Sequence, residues 1–183
     1  MKRSLSRPLS IFFCVLLVGS FSRTGDAQGF SGTWLFDKPQ SKNADFFDGE
    51  SLLLKITSDG GSKMTINQIA KTEYDTRSTV TNVDLNGPET KSEWPKGDLP
   101  VFEYEAVAIG NDQVVMTKAV QGSDHSTFNL KSRLRVTVSQ GSALVVLNSR
   151  YQLSDDGKTL TITVTRDSRR NADPVVYVFH KAG

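Results

Sequence analysis

The chain has 183 residues, 22 Lys plus Arg against 20 Asp plus Glu, with 37% hydrophobic and 23% charged residues. That is enough chain for one domain with a substantial core, and no apolar run approaches the roughly 20 residues of a membrane-spanning helix. A polytopic helical membrane protein is excluded, and disorder is disfavoured because apolar residues recur along nearly the whole length while net charge stays close to zero.

The first thirty residues differ from the rest. Lys2, Arg3 and Arg7 form a basic start, residues 11–18 are an unbroken apolar run of eight, and small or polar residues lead on to Ala27. This is the layout of a secretory signal peptide. An anchor helix of that length would rise only about 12 Å, too little for a hydrocarbon core of about 30 Å. Gly25 and Ala27 predict cleavage after Ala27, with Ser20-Phe21-Ser22 as the competing site. The expected organisation is therefore a signal at 1–27 and one folded domain at 28–183.

Removal of the signal takes Lys2, Arg3, Arg7, Arg23 and Asp26, which leaves 18 basic and 19 acidic residues and a formal charge of −1. The excess of positive charge thus belongs to the export signal, and no nucleic-acid partner is expected. The only cysteine, Cys14, leaves with the signal, and no Asn-x-Ser/Thr sequon occurs. An exported domain without disulfides or glycans fits a bacterial periplasmic or secreted protein better than a eukaryotic extracellular one.

Taken in chain order, the remainder reads as strands of period two. A short one at 32–36 precedes runs at 51–57, 63–69, 77–83, 101–109, 113–120, 128–138, 143–153, 157–165 and 175–180. The clearest alternates Leu160, Ile162 and Val164 on one face with four threonines on the other. Asp59-Gly60-Gly61, Asn86-Gly87-Pro88, Gly110-Asn111-Asp112, Gln140-Gly141, Asp155-Asp156-Gly157 and Asn171-Ala172-Asp173-Pro174 predict the turns. Only residues 43–48 suggest a single helical turn.

Nine or ten strands joined mostly by short connections imply antiparallel neighbours. Such a sheet must close or split to cover its edges. The sequential hairpins predict an all-β, antiparallel up-and-down barrel, with 38–50 and 86–100 as rim loops or lids.

Ser31-Gly32-Thr33-Trp34, following directly on an export signal, resembles the opening of lipocalin-like (calycin) barrels. Asp37-Lys38-Pro39-Gln40-Ser41-Lys42 and the closing segment from Leu153 to Thr161 are similar to small exported bacterial proteins of that type whose function is unassigned. The resemblance implies that Gly32 and Trp34 close one end of the barrel under an arginine from a late strand. Arg166, continuing the Leu160-Ile162-Val164 face, is the expected partner, with Arg150 as rival. It also implies a small apolar or amphipathic ligand in the lumen, although the Thr-Asp-Tyr segment of lipocalins is absent.

Catalytic constellations are sparse. The only histidines are His125 and His180, and there is no Gly-x-Ser-x-Gly, no His-Glu-x-x-His and no phosphate-cradling loop. Ser123-Asp124-His125 reads as a hairpin loop, since a triad requires spatial geometry that adjacent turn residues rarely supply. His180 reads as an exposed C-terminal residue, and no metal or cofactor is expected. Glu103 and Glu105 alternate with aromatics, and Arg133 and Arg135 with aliphatics. They read either as solvent faces of two strands or as an inward clamp for a polar head group.

The lumen candidates are Phe102, Tyr104, Met116, Tyr151, Tyr177 and Phe179, with Ala106 and Ala108 as small residues that would open space. The leading expectation is an exported barrel that binds or carries a small apolar or amphipathic molecule without chemistry. The alternatives are a solidly packed envelope module for protein interaction or structure, and a hydrolase or isomerase acting inside the barrel.

Overall fold

The computed structural model describes residues 27–44, 51–94, 110–167 and 173–183. A 3₁₀ turn at Ala27–Phe30 leads into ten strands: β1 (Gly32–Phe36), β2 (Ser51–Ser58), β3 (Lys63–Lys71), β4 (Thr76–Asp84), β5 (Thr90–Glu93), β6 (Gly110–Gln121), β7 (Thr127–Val138), β8 (Gly141–Leu153), β9 (Thr159–Arg166) and β10 (Val175–Lys181). They form a single sheet in the order β4-β3-β2-β1-β10-β9-β8-β7-β6-β5, with every neighbouring pair antiparallel. Pairing of the first strand with the last curls this meander into a nearly closed barrel. Among the described residues no helix is long and apolar enough to cross a membrane.

Alternation decides what lies inside. On β2, Leu52, Leu54 and Ile56 are buried between half-buried or exposed neighbours, and β8 repeats the pattern through Val145, Leu147, Ser149, Tyr151 and Leu153. Burying one such large aliphatic side chain contributes about 1.5–3 kcal/mol, so a slip of one residue would expose the whole inward set.

Two expectations in the middle of the chain are corrected. The stretch 86–100, read as a rim loop, contains β5. Its segment Thr-Lys-Ser-Glu buries only Ser92 and so lacks the apolar alternation that marks a strand. Gly110-Asn111-Asp112, read as a turn, opens β6 instead. The ladder shifts between Asn111 and Val115, and Gln113 takes a φ of 62°, so the turn-forming residues lie beside a bulge rather than a reversal. The predicted strand at 101–109 and part of the predicted helical turn at 43–48 lie outside the described residues.

The two ends differ. Short turns join β2–β3, β4–β5, β6–β7 and β8–β9 at the end covered by Ala27–Phe30, and Gly157 supplies φ 66° in the turn before β9. The longer connections, between β1 and β2, β5 and β6, and β9 and β10, leave their strands at the opposite end. The first of these begins along β10. Asp37 N–H donates to Val178 O (2.8 Å), Lys42 and Val176 exchange backbone hydrogen bonds, and Ala44 reaches the core.

Candidate functional site

The aromatic end is built around Trp34, which has no exposed surface. Its Nε1–H donates to Phe30 O at 2.9 Å, which ties β1 to the 3₁₀ turn. Phe30 meets Phe128 edge-on with centroids 4.8 Å apart, and Phe128 stacks on Tyr151 at 4.3 Å. The cation over Trp34 is Lys181, its Nζ 5.1 Å from the ring centroid. Lys181 stands opposite Trp34 in the β1–β10 register. Gly32 has φ +143°, and a Cβ there would lie 2.9 Å from Lys181 Cε. Glycine in the Gly-x-Trp segment thus leaves room for the lysine stem.

This corrects the expected Trp34–Arg166 stack. Arg166 pairs with Leu147 at the far end of β9, whereas β10 carries Trp34's cross-strand neighbour past the start of that strand. The rival, Arg150, is exposed on the outer face. The missed residue was legible. Tyr177, Phe179 and Lys181 share one face of the last strand, which antiparallel closure places against β1.

The lumen candidates divide. Tyr151, Tyr177 and Phe179 point inward and are buried, and Phe36 packs on Tyr177 and Phe179 at 6.0 and 5.5 Å. Met116 is corrected. The bulge sets the phase of β6 so that Val115, Thr117 and Ala119 face inward and Met116 lies on the outer, half-buried face. Phe102, Tyr104, Ala106, Ala108, Glu103 and Glu105 lie outside the described residues. Arg133 and Arg135 are exposed on β7, so they form no inward clamp, and Arg133 holds Glu89 at 2.5 and 2.7 Å. His180 has partners: its Nε2 is hydrogen-bonded to Asp37 Oδ2 at 2.8 Å and lies 3.2 Å from Gln40 Nε2. In the Ser123-Asp124-His125 loop, Asp124 accepts from Ser126 and Thr127, and His125 takes φ 57°, as a turn requires. No group of three His, Cys, Asp or Glu converges among the described residues.

The interior has two unlike walls. The buried polar side chains that face the interior among the described residues lie on β3–β8, interspersed with apolar ones: Gln68, Thr79, Thr81, Ser92, Thr117, Ser132 and Ser149. The residues buried on strands β9, β10, β1 and β2 are aliphatic and aromatic, among them Ile162, Val164, Tyr177, Phe179 and Leu54. Apolar alternation marks the second wall in the sequence. It passes over the first, because Ser and Thr at inward positions look like solvent-facing residues.

The polar wall contains the seam between β4 and β5, where hydroxyls replace a backbone ladder. Thr90 Oγ1 and Thr117 Oγ1 both donate to Asn82 O (2.7 and 2.8 Å), and Asn82 N–H donates to Ser92 Oγ at 2.7 Å. Beyond them Asn86 N–H reaches Ala119 O at 3.1 Å. Beside this seam three buried atoms have no hydrogen-bond partner among the described residues: Gln68 Oε1, Thr79 Oγ1 and Trp94 Nε1. Gln68 faces Thr79 in the β3–β4 register. β5 runs back along β4 from the Ser92–Asn82 bond, which brings Trp94 to the level of Thr79.

Two grooves mark the outer surface. One of about 560 Å³ runs along β2–β4 past Thr57, Thr65 and Asn82. The other, about 360 Å³, lies across β6–β9 among Lys118, Lys131 and Arg150. Lys118 and Lys131 stand directly opposite each other across β6 and β7.

Comparison with protein-family models gives no match, and no curated protein matches the chain.

Proposed function

We propose that this protein is an exported, lipocalin-like carrier that binds a small amphipathic molecule inside the barrel and performs no chemistry on it. The observation that carries the reading is the sidedness of the interior: the buried inward Gln, Ser and Thr side chains of the described residues all lie on β3–β8, interspersed with apolar ones, whereas β9, β10, β1 and β2 bury aliphatic and aromatic side chains. An interior meant only to be filled gains nothing from buried polar groups, each of which needs a partner. A ligand with one polar and one apolar side matches both walls. The export signal and the Gly32-x-Trp34 opening support the same assignment, and the Lys181 closure keeps one end shut.

Mass spectrometry of organic extracts from purified mature protein tests this. A stoichiometric small amphiphile is the expected result. Extracts without one, together with a melting temperature unmoved by added amphiphiles, would leave the second reading. That reading is a packed interaction module, favoured by the absence of any exposed surface on Phe30, Phe128, Leu160, Ile162 and Phe179 and by the cation-flanked outer groove.

A further inference from the structure

Resting on the ligand-binding reading, we infer that the polar end of the ligand is uncharged and docks on Gln68, Thr79 and Trp94. Gln68 on β3 and Thr79 on β4 face each other in register, Trp94 follows directly on β5, all three are buried, and the named atom of each has no hydrogen-bond partner among the described residues. Ser31 Oγ and Gln121 Nε2, buried and likewise without a hydrogen-bond partner among the described residues, belong to segments at the aromatic end and stand apart from this group.

The chemistry of the three atoms is complementary. Trp94 Nε1 can only donate, Gln68 Oε1 can only accept, and Thr79 Oγ1 does either. A group that satisfies all three must accept one hydrogen bond and donate another. A hydroxyl, a primary amide or a protonated carboxylic acid does so. With the Gln68 amide as placed, a carboxylate or phosphate dianion has no proton for Oε1 and would bind only with the amide turned over, and an ammonium has no acceptor for Trp94. No Lys, Arg, Asp or Glu among the described residues is fully buried, so nothing on this wall compensates the desolvation of a charge. Arg166, the cation on an inward strand position at the same end, lies on β9 opposite Leu147 of β8 and not on β3, β4 or β5 with the three atoms. An unfilled donor or acceptor in such a place carries a desolvation penalty that a matching ligand relieves, and that gives the site its selectivity.

Titration calorimetry of the mature chain with decane, decan-1-ol, decanamide and decanoate at pH 8 separates the outcomes. The alcohol and amide should bind at least about tenfold more tightly than decanoate. Acidification until the carboxyl is protonated should recover decanoate binding. Gln68→Leu and Trp94→Phe should each weaken the alcohol and amide about tenfold while leaving decane unchanged. Gln68→Leu keeps the volume close, and Trp94→Phe trades an unmatched N–H for a small void, so both variants should remain folded with melting temperatures close to that of wild type. Decanoate binding as tightly as decanol at pH 8, or alcohol affinity indifferent to both substitutions, would overturn the inference. Failure of all four compounds to bind would instead strike the ligand-binding reading itself.

Discussion

Trp34 and Trp94 occupy the same barrel in opposite conditions. Trp34 has its indole N–H bonded to Phe30, a cation over its ring and a glycine that clears the way for that cation. Trp94 is nearly as buried, yet its N–H has no partner among the described residues and it stands beside a seam held by hydroxyls. Buried polar groups that are fully matched stabilise a fold, whereas unmatched ones mark a place where something else is bound or where stability is given up. The first tryptophan belongs to the structure and the second to the proposed site.

The largest test of that contrast is truncation of the first. Trp34→Ala should destabilise by about 3–5 kcal/mol in urea denaturation, whereas Trp94→Phe should change stability by less than about 1 kcal/mol. Equal losses would erase the distinction between the two ends. Next in size, Thr117→Val removes a hydroxyl bonded to Asn82 O and in contact with Thr90. It should cost about 1 kcal/mol and speed amide hydrogen exchange in β4 and β5 while β1 and β10 keep their protection. Uniform acceleration across the sheet would mean that the seam is no weaker than the β1–β10 closure.

A smaller effect belongs to the cation. Lys181→Met should cost about 0.5–1 kcal/mol, and most of that loss should vanish in a Trp34→Phe background, since residues in contact couple. Additive losses would remove Lys181 from the closure.

The smallest effect is confined to acid. Asp37 is held below the usual carboxylate range, first by the Gln40 backbone N–H and then by its hydrogen bond to His180. A carboxyl whose folded pKa lies below its unfolded one stabilises above the unfolded value, and that contribution is lost as pH falls through the folded value. Melting curves should therefore show wild type above Asp37→Asn at neutral pH, with the two converging once pH falls beneath the ordinary carboxylate range. A difference that persists there would assign Asp37 a role that does not depend on its charge.

How much was legible in the sequence follows from the same physics. Strands such as β2 and β9 announce themselves because one face is continuously aliphatic, and the short turns bring neighbours together in order, so the barrel follows from pattern alone. β5 was hidden because its inward residues are polar. Met116 was misplaced because a bulge shifts phase without leaving a hydrophobic trace. Arg166 was the wrong partner because motif reasoning supplied a residue type and a late strand, whereas the cross-strand register fixes which side chain lies over which ring.

By itself, then, the sequence determined the all-β class and the meander, since period-two alternation and tight turns are local properties of the chain. Only the tertiary structure decided that Lys181 covers the indole, that the inward hydroxyls gather on one side, and that Gln68 and Thr79 face each other near the seam where Trp94 follows β5. Those facts depend on barrel closure, which brings β4 against β5 and β1 against β10, and no window along the chain contains that information.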